Sequence, residues 1–129
     1  MAIEYGGLDI TLPSVANTAI VQYAGQILAA TGISATTGNN VVTCGFAQEA
    51  KAAGGANVQT QVSVRVNGVT KAIAAATAPA PGVHTSPAAA GAVVTAAADG
   101  NAINGICLAQ ANTVAADIFP LLIFQSRRS

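Results

Sequence analysis

The sequence predicts an all-β fold, a small barrel or sandwich built from two similar hairpin-containing halves, and three observations support this. Short β-branched segments are separated by Gly, Asn and Ala-rich turns, one segment alternates strictly between apolar and polar residues, and one stretch of sequence recurs farther along the chain. The length of 129 residues is that of about one domain. We therefore expect a single β domain at about 27–129, preceded by an N-terminal arm.

The alternating segment runs from Val58 to Val66. Valine or threonine occupies every second position, and glutamine, serine or arginine lies between them. This period of two predicts a strand with one buried and one solvent-facing side. Asn67-Gly68 follows directly and favours a type I′ turn, because such dipeptides tolerate positive φ at both central positions. The pattern predicts a β-hairpin whose return strand is Val69–Ile73.

A repeat at an offset of 62 residues supports the two-halves architecture. Gly38–Gln48 aligns with Gly100–Gln110 through a shared Gly-Asn, a β-branched residue and a shared Ala-Gln. We expect pseudo-repeat units at about 27–76 and 89–129, joined by a proline-rich connection at 77–88. Chance similarity in an alanine-rich chain is the alternative.

Residues 1–26 fall outside this repeat and are predicted to form an extended N-terminal arm. Apolar residues at Leu8, Ile10 and Leu12 alternate with polar ones until Pro13 ends the run. An arm of this kind can add a strand to its own domain or to the sheet of a neighbour.

The composition favours a protein that functions through contact surfaces. Charged residues make up 8% of the chain, against about 25% in an ordinary soluble domain, and the net charge is zero. Monomers usually keep a charged surface to stay dispersed, so we expect partners to cover part of this one. The neutral charge balance argues against nucleic-acid binding, and the lack of a long apolar stretch argues against a membrane span.

The residues that carry chemistry are few and scattered, so the chain is not expected to be an enzyme. The lone His84 lies in the proline-rich connection, and a set of Cys44 or Cys107 with His84 and Asp99 could be chosen in any chain with those residue types. No spacing typical of a catalytic, metal or cofactor site occurs. We expect no catalytic residues, no cofactor and no metal.

The two cysteines are predicted to be small buried residues rather than a disulfide. Cys44 and Cys107 lie far apart without CxxC spacing, and the N-terminus lacks the basic region of a secretory signal. Under the 62-residue offset they also fall on opposite faces of equivalent strands, which argues against a bridge. A reduced, intracellular site of assembly is the expectation.

The second half of the chain resembles the capsid decoration (cement) proteins of tailed bacteriophages. The similarity lies in a small-residue strand ending at an Asp-Gly turn (Ala90–Gly100), a Gly-Ile strand followed by alanines (Asn104–Ala111), and a closing hydrophobic strand (Ile118–Phe124). The first half is similar more loosely, over Val41–Ala53 and Val58–Gly68. The resemblance covers about three-quarters of the chain and excludes residues 1–26.

This resemblance implies a structural protein that binds the outer surface of an assembled icosahedral phage head and stabilises it. Its partners would be the major capsid protein of the shell and further copies of itself, as a homo-oligomer, which in such families is often a trimer. No nucleic-acid or membrane partner is implied. The location would be the outer surface of the capsid in the virion, after assembly in the host cytoplasm.

The residues expected to form contacts lie in the arm and in the last strand. Under the 62-residue offset, the side chains of Phe119, Leu121 and Ile123 replace polar outward positions of the first unit, which makes the last strand apolar on both faces. Burial of that strand within its own domain is the alternative. The predicted interface comprises Ile3, Tyr5, Leu8, Ile10, Leu12, Phe119, Leu121 and Ile123.

Two other classes of function remain open at this stage. A fibre or adhesin subunit is also built from such modules, although a signal peptide or disulfide framework would favour it more strongly. A carrier or ligand-binding β module would need a modified lysine at a hairpin tip or a lined pocket, and Lys71 lies just beyond the predicted turn without a carrier motif.

Overall fold

A computed structural model describes residues 7–75, 79–96, 100–109 and 116–127 of the chain. It is nearly all β, as predicted, with one short 3-10 turn at Ala89–Gly91. The strands are β1 (Gly7–Pro13), β2 (Gly25–Ala29), β3 (Gly32–Ala35), β4 (Gly45–Ala47), β5 (Gln61–Ile73), β6 (His84–Pro87), β7 (Val93–Thr95), β8 (Ala102–Cys107) and β9 (Ile118–Arg127).

The strands form two groups with the same order. The sheet runs β3-β2-β4-β5-β9-β8-β6-β7, so the order on one side of the β5–β9 pair repeats on the other side. The β1 strand pairs with the first part of β5, and β9 pairs with the second part of β5. The first unit therefore comprises β1 to β4 and the start of β5, and the second unit comprises the end of β5 and β6 to β9.

The pairing registers show that this duplication is real. The isolated parallel bridge Ser14–Ile33, which brings the end of β1 back to β3, recurs 60 residues later as Ala74–Val93. The antiparallel pair Leu12–Val62 recurs as Ala72–Phe119. The β1, β3 and β4 strands thus repeat at an offset of 60 residues, β2 repeats at an offset of 59, and the last strand of the unit repeats at an offset of 57.

The chain does contain two similar units, but the register and the boundaries predicted for the repeat were wrong. The 62-residue alignment matched Gly45 to Cys107. In the structure, Gly45 pairs with Gln26 of β2 and Gly105 pairs with Thr85 of β6, so Gly45 is equivalent to Gly105. The predicted arm is not outside the repeat, because β1 is the first strand of the first unit. The predicted connection at 77–88 contains β6 and is part of the second unit.

The Asn67-Gly68 dipeptide does not turn the chain, so the predicted hairpin was wrong. The β5 strand runs through it, and Gly68 has a φ of 92° while Asn67 is not among the residues with positive φ. Leu8 pairs with Asn67 and Asp9 with Arg65, so one residue of β5 is extra at this point. The chain therefore forms a β-bulge at Val66-Asn67 instead of a type I′ turn at Asn67-Gly68.

Because of the bulge, β5 contributes side chains to two separate hydrophobic cores. Val64 and Ala72 are an even number of residues apart and would share a face of an uninterrupted strand. They instead belong to different clusters, because the extra residue inverts the alternation. The first-unit core is Ile20, Ile33, Ala47, Val62 and Val64, and the second-unit core is Phe46, Ala72, Ala74, Val93, Cys107, Phe119 and Leu121.

Residues 7–26 belong to the domain rather than to a separate arm. The β1 strand pairs with β5 of its own chain, which is one of the two possibilities left open by the sequence. Beyond it, Ser14, Ile20 and Ala24 are buried, and Ile20 is part of the first-unit core. Alternation within β5 was predicted correctly for Val62 and Val64, which are fully buried, while Val58 precedes the strand and is exposed.

Candidate contact surfaces

The three residues predicted to face outward on the last strand are turned towards the domain interior. Phe119 and Leu121 are buried in the second-unit core, and Ile123 packs against that core while partly exposed. The expectation that they face outward was wrong for a simple reason. The true offset of this strand differs from 62 by an odd number of residues, and an odd shift exchanges the two faces of a strand.

The outward side of β9 is nevertheless apolar. Ile118, Leu122 and Phe124 are 45%, 38% and 47% exposed. Their cross-strand partners are also apolar, since Ile118 lies opposite Ile73, and Leu122 lies between Val69 and Ile106. We call this surface the β9 outer face, comprising Val69, Ile73, Ile106, Ile118, Leu122 and Phe124.

An exposed histidine extends the β9 outer face at one side. His84 begins β6 and pairs with Ile106, and its ring stacks on that of Phe124 with centroids 6.1 Å apart and planes at 18°. The sequence placed His84 in an exposed loop; it is exposed, but it lies on a strand. The two stacked rings present a broad and rigid surface of the kind that contributes strongly to interfaces.

Lys71 lies on this face, and its ammonium group is placed over an aromatic ring. It pairs with Pro120, between the apolar pairs on either side, and its Nζ lies 5.5 Å from the centroid of the Tyr23 ring. That geometry is a cation–π contact. Because the chain does not turn at Asn67-Gly68, Lys71 lies within a strand and not beside a hairpin tip, which removes the feature a carrier module would need.

The equivalent positions in the first unit are charged. Asp9 and Arg65 occupy the places that Val69 and Leu122 occupy in the second unit. The Arg65 guanidinium donates from Nε to Asp9 Oδ1 at 2.6 Å and from Nη2 to Asp9 Oδ2 at 3.0 Å, and this bonding raises the pKa of Arg65. The fold therefore accepts polar residues at these positions, so the apolar β9 outer face is a feature of the second unit rather than a demand of the fold.

The predicted contact residues of the N-terminus are in part exposed. Ile3 and Tyr5 lie outside the described residues. Leu8 and Ile10 are exposed on β1, and Leu12 is partly buried against the first-unit core. Exposed apolar side chains on an outer strand remain candidates for contact with a partner.

The two cysteines lie apart from each other and are not joined by a disulfide. Cys44 and Cys107 are free thiols; burial raises the pKa of Cys44 to about 11 and also raises that of Cys107. Within the described ranges, no three His, Cys, Asp or Glu residues are grouped so that they could hold a metal ion. The Asp99 considered above lies outside these ranges. The described residues include no helix able to cross a membrane.

The sequence missed Ile106, Leu122 and Phe124 as surface residues. Aligning the two Gly-x-[Ala/Cys] segments, Gly45–Ala47 and Gly105–Cys107, gives the offset of 60 for this part of the unit. The shorter offset of the last strand has no comparable signal, because it arises from the segment between β8 and β9, which is three residues shorter than the segment between β4 and β5.

These features define a class: a small all-β protein made of two duplicated, curled antiparallel units that presents one apolar strand face to solvent. The chain is similar in fold to the head fibre gp8.5 N base of bacteriophage phi29, known from a crystal structure, with a TM-score of 0.69 and 15% identity. The likeness covers 95% of this chain and 99% of that chain. No family model and no curated protein matches the sequence.

Proposed function

We propose that this chain is a structural protein of a bacteriophage virion that attaches to the outside of the head. The observation that carries the proposal is the agreement in fold, over nearly the whole of both chains, with a phage head fibre module. The sequence resemblance to phage decoration proteins supports the same assignment. The proposal gives the chain a binding role and no catalytic one.

The β9 outer face is the surface through which we propose that the chain binds the major capsid protein. Leu122, Phe124 and Ile118 are each about half buried already, so covering them contributes roughly half of the 1.5–3 kcal/mol that full burial of a large apolar side chain gives. A stacked His84–Phe124 pair suits a flat partner surface. Self-association, as a trimer in the leading form of the proposal, would multiply these contacts.

The test is binding to undecorated heads of the phage that encodes this chain. We expect the parent protein to co-sediment with heads, and the variant Leu122→Gln/Phe124→Gln to bind at least tenfold more weakly with an unchanged circular dichroism spectrum. Val58→Gln, which changes an exposed apolar residue of the first unit, is the matched control. Equal binding by the parent and the double variant would reject the β9 outer face, and no binding by the parent would reject the proposed function.

Two forms of this function can be separated. A decoration protein that braces the shell should raise the temperature at which the heads release their DNA. A head fibre base, the form favoured by the likeness to the phi29 protein, should bind without that effect. Calorimetry of heads with and without the bound protein distinguishes the two.

A further inference from the structure

The two units of the chain contact each other through a defined interface. The Phe46 side chain of β4 lies in the second-unit core, among residues that include Ala72 and Val93. Two residues farther on, Gln48 Nε2 donates a hydrogen bond to Thr70 Oγ1 at 2.9 Å. Phe46 of β4 and Gln48, which follows β4, thus contact the second unit.

Duplication reproduces the inserting side of this interface at the far end of the chain. The hydrogen bond from Gln48 N to Ser63 O, 2.8 Å long, recurs as Leu108 N to Pro120 O at 3.0 Å, so Leu108 holds the position of Gln48. By the same register Ile106 holds the position of Phe46. Leu108 is 45% exposed, and Ile106 is partly exposed.

The receiving side is likewise reproduced at the near end. Ile10 pairs with Val64 in the first unit, and Thr70 pairs with Leu121 in the second, so Ile10 is equivalent to Thr70. In the same register, Leu12 is equivalent to Ala72. Thr70 and Ala72 are fully buried, whereas Ile10 is 39% exposed.

The end of β6 also faces the first unit, since Thr36 Oγ1 donates a hydrogen bond to the carbonyl oxygen of Ala88 at 2.7 Å. Pro87 lies opposite Val93 as Leu28 lies opposite Ile33, so the two residues are equivalent. Pro87 is buried, whereas Leu28 is 67% exposed. Positions that are buried in the second unit are therefore exposed apolar side chains in the first.

The chemistry of the two unmatched sides is complementary. Between the two units of one chain, Gln48 and Thr70 form a hydrogen bond. Leu108, which is equivalent to Gln48, and Ile10, which is equivalent to Thr70, are both apolar. An apolar residue in place of only one partner would leave the other polar group unpaired, whereas replacing both retains a matched contact. A second copy of the chain would bury Leu108 of one copy against Ile10 of the other.

We propose that copies of this chain associate head to tail, with Leu108 of one copy docking on Ile10 and Leu28 of the next. The contact repeats the interface between the two units, so its shape is already realised within one chain. Such a heterologous contact closes into a ring when the rotation between copies permits. This specifies the self-association included in the proposed function, and it does not depend on attachment to a phage head.

Light scattering after size exclusion tests the proposal on the full chain. We expect the parent to be oligomeric, and Ile10→Glu and Leu108→Glu each to associate at least tenfold more weakly. Mixing these two variants should restore a one-to-one dimer, because each retains the side that the other lacks. Val21→Glu, at another exposed apolar residue, should associate like the parent.

Each outcome decides the matter. A monomeric parent, or variants that associate like the parent, would overturn the proposal. A mixture of the two variants that stays monomeric would also overturn it, because mixing does not rescue a two-fold symmetric contact.

If the glutamate variants lose their circular dichroism spectrum, Ile10→Thr and Leu108→Gln replace them. Each is then expected to weaken association alone, while the double variant, which copies the Gln48–Thr70 pair, associates. An intact oligomer that fails to bind heads would reject the proposed function while leaving this inference standing.

Discussion

Gly45 and Gly105 hold the same position in the two units and face the same obstacle. A Cβ atom on Gly45 would lie 2.5 Å from the carbonyl oxygen of Arg65, and one on Gly105 would lie 2.5 Å from the carbonyl oxygen of Leu122. Each would also meet the side chain of the preceding residue on that strand, Val64 or Leu121. The close approach of β4 to β5, and of β8 to β9, therefore requires glycine at both places.

Replacing either glycine by alanine should destabilise the protein. We expect Gly45→Ala and Gly105→Ala each to lower the free energy of unfolding by about 1–3 kcal/mol, because the facing backbone must move to admit a methyl group. Urea denaturation followed by circular dichroism measures this. Gly38→Ala is the control, since no atom lies within 4 Å of a Cβ built there. Unchanged stability of Gly105→Ala would contradict the proposed equivalence.

The two faces of β9 should respond oppositely to the same substitution. Leu121→Gln places an amide in the second-unit core and should cost about 3–5 kcal/mol of stability, from lost packing and an unpaired polar group. Leu122→Gln changes a partly exposed residue and should stay within about 0.5 kcal/mol of the parent. Urea denaturation of both variants tests this; a larger loss for Leu122→Gln would restore the face assignment made from the sequence.

The two thiols should react slowly in the native protein. The thiolate is the reactive form, and burial raises the pKa of Cys44 to about 11 and raises that of Cys107 as well. At pH 8 this lowers the thiolate fraction of Cys44 roughly a hundredfold relative to an ordinary cysteine. Alkylation with iodoacetamide should be slow without denaturant and fast in urea. One thiol per chain reacting at the rate of free cysteine in the native state would refute the placement of these residues.

Glu49 should contribute stability that is lost in acid. Its Oε1 accepts a hydrogen bond from the Ser63 backbone N–H at 3.0 Å and its Oε2 lies 3.2 Å from Lys51 Nζ; these lower the pKa of Glu49, the backbone bond having the larger effect. A pKa lower in the folded state means that the contribution is complete above the unfolded-state value, about 4.3, and disappears as pH falls through the folded-state value.

Unfolding of Glu49→Gln as a function of pH tests this assignment. The stability difference between the parent and this variant should shrink as the pH is lowered through that range. Lys51→Met removes the ion pair alone and should retain most of the pH dependence. A difference that stays constant from neutral to acidic pH would show that the Ser63 hydrogen bond does not depend on the charge.

Local pattern was sufficient for the class of the fold and for one buried face. The alternation that buries Val62 and Val64 is a property of neighbouring residues, and a period of two has the same meaning in any sheet. The recurrence of Gly, Asn and Ala-Gln at an offset of 62 matched residues that are not equivalent in the two units, although the strand order does repeat. Local sequence did not define where one unit ends, because β5 is the last strand of the first unit and the first strand of the second.

Tertiary pairing decided what Asn67-Gly68 does and which side of β9 is exposed. The same dipeptide can form a turn or lie within a strand, and pairing of β1 and β9 with successive parts of β5 keeps the strand continuous. From Ile118 to Phe124, β9 is apolar at every position, so the sequence alone does not show which of these side chains face the core. The register with β8 sets the inner face, and a difference of one residue in register exchanges Leu121 and Leu122 between core and surface.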